Sequence, residues 1–306
     1  MQRPAKPFTP VRFRLQPPFC INNMKIAIVG MGFVGKSLSN GFKKSVEVLG
    51  IDPILKTSIK DLTKFKPDAI FICLPTPMKE DSSQDISIIN LALQEINELN
   101  LTSLVILKST VLPNYVSKIQ KLVPRFVYNP EFLREKYADQ DFINSELIVF
   151  GGDRKDTDEL AKIYEMHTKC TCKNYIHTDV IAASFIKYTI NTFLSLKVIF
   201  FNELKDLFDN SGTNEKWENF TSALSVDKRI GDSHMQVPGP DGRLGFGGAC
   251  FPKDSSAFLQ YSNEANCKIN LLNTAINLNN VIRSQYNDLT QREIEQNISF
   301  FKGDKS

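Results

Sequence analysis

The sequence predicts a Rossmann-type α/β fold, a doubly wound parallel sheet, followed by an all-helical unit built on one long helix. Three observations carry this. A short apolar run, KIAIV, feeds a glycine-rich turn and a helix just after Met24. Short apolar segments then alternate with helical patterns as far as about His177. From Val180 almost thirty residues follow without glycine or proline.

Residues 1–23 come first and differ from the rest, with five prolines, four basic residues (Arg3, Lys6, Arg12, Arg14) and no acid. That composition reads as a disordered extension, since the prolines argue against the amphipathic helix of a presequence. A strand is expected at Lys25 to Val29, then the turn Gly30-Met31-Gly32-Phe33-Val34-Gly35 and a helix to about Lys44. Val46 to Ile51 is a second strand ending at Asp52-Pro53, and Asp68 to Leu74 a third. Ile86 to Leu99 reads as a helix, because Ile89, Leu93 and Ile96 recur near helical spacing. Leu104 to Leu107, Arg125 to Tyr128 and Glu146 to Phe150 supply three more strands. A dinucleotide-binding unit is therefore expected over 24–178.

Thr178-Asp179 forms an N-cap for a helix from Val180 to Phe208, and Asn210-Ser211-Gly212 ends it. At 1.5 Å per residue that helix is roughly 45 Å long. It is apolar nearly all round, from Val180 and Ile181 to Phe201 and Leu204. A helix of this kind needs cover on every face, which predicts a homodimer packed through it. The helical central unit is expected over 179–284, and 285–306 reads as a polar tail.

Composition excludes several classes. With 42% hydrophobic and 23% charged residues the chain is neither disordered nor fibrous. A net charge of +3, from 37 basic against 34 acidic residues, advertises no nucleic-acid partner. No run of 18 apolar residues occurs, so no membrane span is expected; Lys187 interrupts the nearest candidate. Scattered cysteines at 20, 73, 170, 172, 250 and 267 read as reduced thiols of a cytoplasmic protein. His167, Cys170, Cys172 and His177 lie within eleven residues, but Cys-x-Cys is poor spacing for tetrahedral zinc, and no metal is expected.

Four segments carry chemistry. The loop Gly30 to Gly35 follows a strand and opens a helix, and Asp52 lies 17 residues beyond Gly35 at the end of the next strand. That is the dinucleotide fingerprint: Gly30 allows the turn, Gly32 lets backbone approach a pyrophosphate, and Gly35 lets helix and strand pack. Asp52 would accept ribose hydroxyls and repel a 2′-phosphate, favouring NAD over NADP. The second segment is Gly245-Phe246-Gly247-Gly248-Ala249-Cys250-Phe251-Pro252-Lys253-Asp254. There Lys253 could lower the thiol of Cys250 towards a nucleophilic thiolate, although a structural cysteine in a tight turn fits equally. Third, Lys187 and Asn191 share one face of the long helix, as rim and capping residues or as donors to a developing oxyanion. The fourth is Asn129-Pro130-Glu131-Phe132-Leu133-Arg134-Glu135, which follows a strand at the sheet edge where such folds bind ligands. Leu74-Pro75-Thr76-Pro77 and Lys108-Ser109-Thr110-Val111 stand similarly after the third and fourth strands.

Taken together, GMGFVG, LPTP, KSTV, NPEFLRE, the Lys187/Asn191 helix with Phe201-Asn202-Glu203, Lys228-Arg229-Ile230-Gly231 and GFGGACFPKD resemble the nucleotide-sugar dehydrogenases that oxidise UDP-glucose or GDP-mannose, from Met24 to about Arg283. NPEFLRE with GFGGACFPKD is most similar to the members acting on UDP-glucose. The resemblance implies NAD-dependent, two-step oxidation of a primary alcohol to the uronic acid, UDP-glucose to UDP-glucuronate. It implies Cys250 as nucleophile, Lys187 and Asn191 as oxyanion donors, Thr110 and Asp254 holding a water, and Glu131 moving a proton. Phe132, Leu133, Phe246 and Gly247 would line the sugar pocket, and Arg229 would reach the nucleotide phosphates. Met31, Phe33, Val34, Pro75, Thr76, Ser109, Thr110, Glu135 and Lys253 would lie beside the cofactor. Alternatives are a GDP-mannose or other nucleotide-sugar dehydrogenase, a simpler hydroxy-acid dehydrogenase, and a non-catalytic binder of NAD or a nucleotide sugar.

The chain departs from the family pattern in places. Only 22 residues separate Asp52 from Pro75, Asn114 follows Pro113 where a glycine is usual, and Val237 to Gly242 (VPGPDG) reads as an inserted loop. After Arg283 the family carries a second α/β domain over the nucleotide; here 23 residues follow. The expectation is an open or partner-completed nucleotide site, or a fragment.

Overall fold

The structure is a computed structural model that describes residues 24–300; the expected extension at 1–23 lies outside the described residues. Seven strands form one sheet in the order β2-β1-β3-β4-β5-β6-β7. They are β1 (Lys25–Val29), β2 (Glu47–Ile51), β3 (Ala69–Ile72), β4 (Leu104–Leu107), β5 (Phe126–Tyr128), β6 (Ile148–Gly152) and β7 (Tyr175–Thr178). Residues of the inner strands β1, β3, β4 and β5 are buried on both faces, which explains apolar runs in place of alternation, while the edge strands β2 and β7 are half-buried. Ala27, Val29, Ile70 and Ile72 face one helical layer; Ile26, Ile28, Phe71 and Phe150 face the other.

The first layer holds α2 (Leu62–Phe65), α3 (Ser87–Glu98) and α4 (Pro113–Ile119), which contribute Leu62, Leu93 and Val116 to the core. The second holds α1 (Phe33–Gly41), α5 (Ala138–Ile143) and α6 (Arg154–His167), contributing Leu38, Phe142 and Tyr164. This is the doubly wound arrangement the sequence predicts. Two details differ from it. β7, with the mixed sequence YIHT, carries too little apolar signal to be read as a strand. β6 runs antiparallel to β5. A parallel return needs a crossover across the sheet. The 129–147 link instead spends its residues on the NPEFLRE loop and the short α5, so the chain re-enters from the edge it left by.

From β7 the chain passes directly into α7 (Val180–Asp209). Asp179 caps it, its carboxylate accepting from the backbone N–H of Ile181 and Ala182 at 2.8 and 2.9 Å. The helix is a spine. Its first turn, Val180 and Ala183, belongs to the sheet core. Tyr188 packs with Phe258 of α9 (Phe251–Glu264) and Leu272 of α10 (Asn270–Arg283). Ile199 packs under Phe246, and Phe201 joins Trp217 of α8 (Trp217–Ser225) with Met235 and Val237. Burial is not complete on every side: Phe193, Phe200 and Leu207 stay 59–68% exposed. A short α11 (Gln291–Glu295) closes the described chain. Among the described residues no helix is long and apolar enough to cross a membrane.

Candidate active site

The carboxyl ends of β1, β3, β4 and β5 point to one edge of the sheet, and α7 lies across it. The glycine loop opens from β1. Gly30 adopts φ +93°, and a Cβ there would sit 2.6 Å from the Cys73 carbonyl; one on Gly35 would strike the Gly30 carbonyl. Both positions therefore require glycine. Gly32 has open space where its Cβ would be, and no side chain caps the α1 N-terminus. The free N–H groups of that first turn face the gap, a surface suited to phosphate. Asp52 stands beside it, accepting from Met31 N at 2.8 Å and Ile54 N at 2.9 Å. With one N–H on each oxygen, lone pairs remain for ribose hydroxyls. The residues present fit an NAD-type dinucleotide.

The loops after β3 and β4 are tied together. Thr76 donates to the Thr110 carbonyl at 3.1 Å, and Ser109 to the Leu74 carbonyl at 2.6 Å, next to Pro75. Buried Gln84 donates to Thr110 O and accepts from Leu112 N. Beneath them Lys108 is buried and donates to Asn129 Oδ1 at 3.0 Å. Burial pushes the Lys108 ammonium down to about 8, with Cys73 and Glu131 opposing. Asn129 in turn donates to the Val149 carbonyl, fixing the start of the NPEFLRE loop.

On the helical side two couples converge. Lys187 pairs with Glu131 at 3.3 Å, both side chains under a tenth exposed, and its ammonium lies over the Phe132 ring. One turn on, Asn191 donates to Asp254 Oδ2 at 2.6 Å, while Lys253 pairs with Asp254 Oδ1. Cys250 is the N-cap of α9, immediately before these residues. Glu131, Lys187, Lys253 and Asp254 all act on its thiol electrostatically, which places one charge cluster round one sulfur. Here the expectation for Lys253 is corrected. Burial dominates and pushes the Cys250 thiol up to about 11; Lys253 and Lys187 pull it down only in part, against Asp254 and Glu131. The resting group is a protonated thiol.

Other expected residues fall less simply. Lys253 is buried against Asp254 rather than free beside a cofactor. Leu133 donates its backbone N–H to Glu131 Oε2 and packs with the core, and Val34 belongs to the α1 turn. Phe246 is buried under α10, held by Asn279 through both N–H and carbonyl. Gly247 packs against Arg283 and Glu293. Arg229 is not brought in: it is 90% exposed and paired with Asp227 in its own turn. Glu135 is exposed and paired with Arg292 at 2.9 Å, and the Arg292 guanidinium lies over Phe33. Sequence reasoning missed Gln84, Asn279, Arg283 and Glu293, which fasten the loops; only Thr290-x-x-Glu293 carried a signal, that of a capping box. His177 bonds Thr157 at 2.9 Å, and among the described residues no group of three or more His, Cys, Asp or Glu could hold a metal.

A dinucleotide-type sheet joined by a long helix to a cysteine loop defines the class: a Rossmann-fold chain of dehydrogenase architecture. Its family follows from comparison. Residues 54–168 match the NAD binding domain of the UDP-glucose/GDP-mannose dehydrogenase family, and 181–281 match its central domain. The chain belongs to this family. It is 36% identical over 212 residues to UDP-glucose 6-dehydrogenase of Rickettsia felis, covering 66% of this chain and 46% of that one. The Bacillus subtilis UDP-glucose 6-dehydrogenase TuaD is 28% identical over 298 residues, covering 83% and 62%. The chain thus spans about half the length of the Rickettsia relatives it matches. A UDP-glucose dehydrogenase structure from Pyrobaculum islandicum superposes with TM-score 0.72 at 25% identity, covering 87% of this chain and 70% of that one. A Mycobacterium tuberculosis 3-hydroxyisobutyrate dehydrogenase shares the fold at TM-score 0.66 and 16% identity, covering 87% and 96%.

Proposed function

We propose that the chain carries out the NAD-dependent, four-electron oxidation of a nucleotide sugar's primary alcohol to the uronic acid, with UDP-glucose as the substrate its relatives favour. The observation that carries this reading is the set of two buried couples, Lys187–Glu131 and Asn191–Asp254–Lys253, gathered round Cys250 at the edge of a dinucleotide sheet. A single alcohol-to-ketone step would need the lysine and asparagine but no thiol.

NAD+ bound on the glycine loop supplies the hydride acceptor for each oxidation; the rest falls to the chain's own residues. In the first step the substrate hydroxyl gives its proton to Glu131 as its C–H hydride departs, leaving an aldehyde. The Cys250 sulfur adds to that carbonyl, and its proton passes to the oxygen, forming a thiohemiacetal. Once Glu131 has released the first proton to solvent, a second hydride leaves the same carbon while the hydroxyl proton passes to Glu131, giving a thioester. Water held by Thr110 and Asp254 then cleaves the C–S bond, releasing carboxylate and restoring the thiol. Lys187 and Asn191 stabilise negative charge on one oxygen throughout.

The test is stoichiometry. Two NADH per UDP-glucose consumed are expected. One NADH would indicate a simple alcohol oxidation, and none with UDP-glucose or GDP-mannose would overturn the reading. The exposed row Phe193, Phe200 and Leu207, seven residues apart along α7, supports a homodimer packed through that helix. The five cysteines of the described region are all free, which supports a cytoplasmic setting.

A further inference from the structure

Beyond the residues matched by the central-domain family model, the chain does not trail away. Residues 288–300 fold back across both halves of the site. Thr290 and Glu293 close α11 as a reciprocal capping box. Glu293 is fully buried, and so is Arg283, with their side chains 0% and 1% exposed and 2.7 Å apart. Glu293 Oε1 also accepts the backbone N–H of Gly248 at 3.1 Å, two residues before Cys250. The pair lies flat against the neighbouring glycine: a Cβ on Gly247 would meet Arg283 Nη2 at 2.1 Å and Glu293 Oε1 at 2.5 Å. Arg283 is held in turn by Asp241 at 2.8 Å and lies over the Phe300 ring.

The same segment grips the dinucleotide unit. Met78 N donates to the Gln296 carbonyl at 3.1 Å, and Asn297 Nδ2 donates to the Met78 carbonyl at 3.1 Å. Arg292 pairs with Glu135 and covers Phe33 of the glycine loop. The cysteine loop has two further fasteners, Asn202 to Gly245 N and Asn279 to Phe246, both from helices of the central unit and both neutral. Glu293 is the charged fastener, and the loop residue it holds, Gly248, is the one nearest Cys250 in sequence. A buried carboxylate pinned by Arg283 and two backbone N–H groups has little freedom to move, so the loop it holds has little either.

We infer that Glu293 is a positioning residue for Cys250, holding the loop through the Gly248 N–H, and that the 288–300 segment ties this loop to the glycine loop as one unit. The inference rests on Cys250 being the reacting thiol, but its test reads the thiol directly and does not require turnover.

Truncating Glu293 alone would leave Arg283 Nη2 without a buried acceptor, so the informative variant is the double replacement Arg283→Met with Glu293→Leu, which removes both buried charges at similar volume. Iodoacetamide modification of Cys250 is followed by mass spectrometry from pH 7 to 10. In the wild type the rate should climb without a plateau. In the double variant the loop loosens, burial is relieved, and modification at pH 8 should be about tenfold faster or more, with a midpoint moved down towards an ordinary thiol. Glu293→Gln, whose amide oxygen can still accept from Gly248 N and Arg283 Nη2 while Asp241 keeps its pair with Arg283, should keep the wild-type pH profile. A folded double variant with the wild-type rate and midpoint overturns the inference. Loss of the profile in Glu293→Gln as well would assign the effect to the charge pair instead of the Gly248 bond, and overturns it equally. Hydrogen exchange on the unaltered protein gives a second measure: the Gly248 amide should be strongly protected, and exchange at the open-chain rate would exclude the bond. If the wild type produces no NADH, the proposed function fails while the thiol readout still decides this point.

Discussion

At Cys250 opposing influences meet from the first turn of α9, from α7 and from the loop after β5. Enclosure disfavours the thiolate more than Lys253 and Lys187 favour it, and Asp254 and Glu131 add to the upward push. Because only thiolate reacts, alkylation of Cys250 should rise roughly tenfold per pH unit between 7 and 10 in the ligand-free protein. A plateau near pH 8.5 would show the thiol to be unperturbed. Cys250→Ser should abolish uronate formation, measured by product analysis, while allowing a slow ester intermediate to accumulate; wild-type turnover by this variant would exclude covalent catalysis. Lys187 and Glu131 are more tightly bound to each other than to solvent. Removing either partner alone leaves a buried charge, a loss of about 3–5 kcal/mol of stability, so single variants here read folding as well as chemistry. The turn at the glycine loop and the placement of Asp52 beside it were legible because both are local: a backbone torsion and a carboxylate one strand away.

Among the elements, α7 does most to join fold and site. It begins in the sheet core, carries Lys187 and Asn191 over the sheet edge, and ends against α8. Its length, cap and stop were all readable, since an Asp N-cap, thirty uninterrupted residues and a following Asn-Ser-Gly are sequence signals. Its exposed stripe was not, because an apolar residue in sequence does not declare which neighbour covers it. Phe193, Phe200 and Leu207 recur at the spacing of a helix-packing seam. The proposed homodimer predicts a dimeric wild type by sedimentation and a monomeric Phe200→Asp with unchanged helix content; a monomeric wild type would overturn the homodimer, and a variant still dimeric would place the interface elsewhere. By contrast the direction of β6 was not legible, being set by how the preceding link is spent, and β7 was not legible because YIHT carries little apolar signal and its pairing with β6 is tertiary.

Across the whole molecule, two units share one reaction edge and are clasped by residues 288–300. A dinucleotide bound there stabilises everything coupled to it. At about 100-fold excess over its Kd, NAD+ should raise the unfolding free energy by about 2.7 kcal/mol, and NADP+ should do so far less. Asp52→Ala should narrow that difference, measured by thermal melts; an unchanged preference would remove Asp52 from cofactor choice. The sequence by itself determined what is local or periodic: the strand–glycine–helix turn, the alternating elements, the long helix with its cap, and the residue types competent for chemistry. Only the tertiary structure decided that Lys253 is paired with Asp254 and that burial outweighs its pull on the thiol, that Arg229 stands apart, and that Glu293 braces a loop 45 residues before it. Charges and hydrogen bonds act through space over a few ångströms, and burial sets their strength. Neither distance nor burial is written in spacing along the chain.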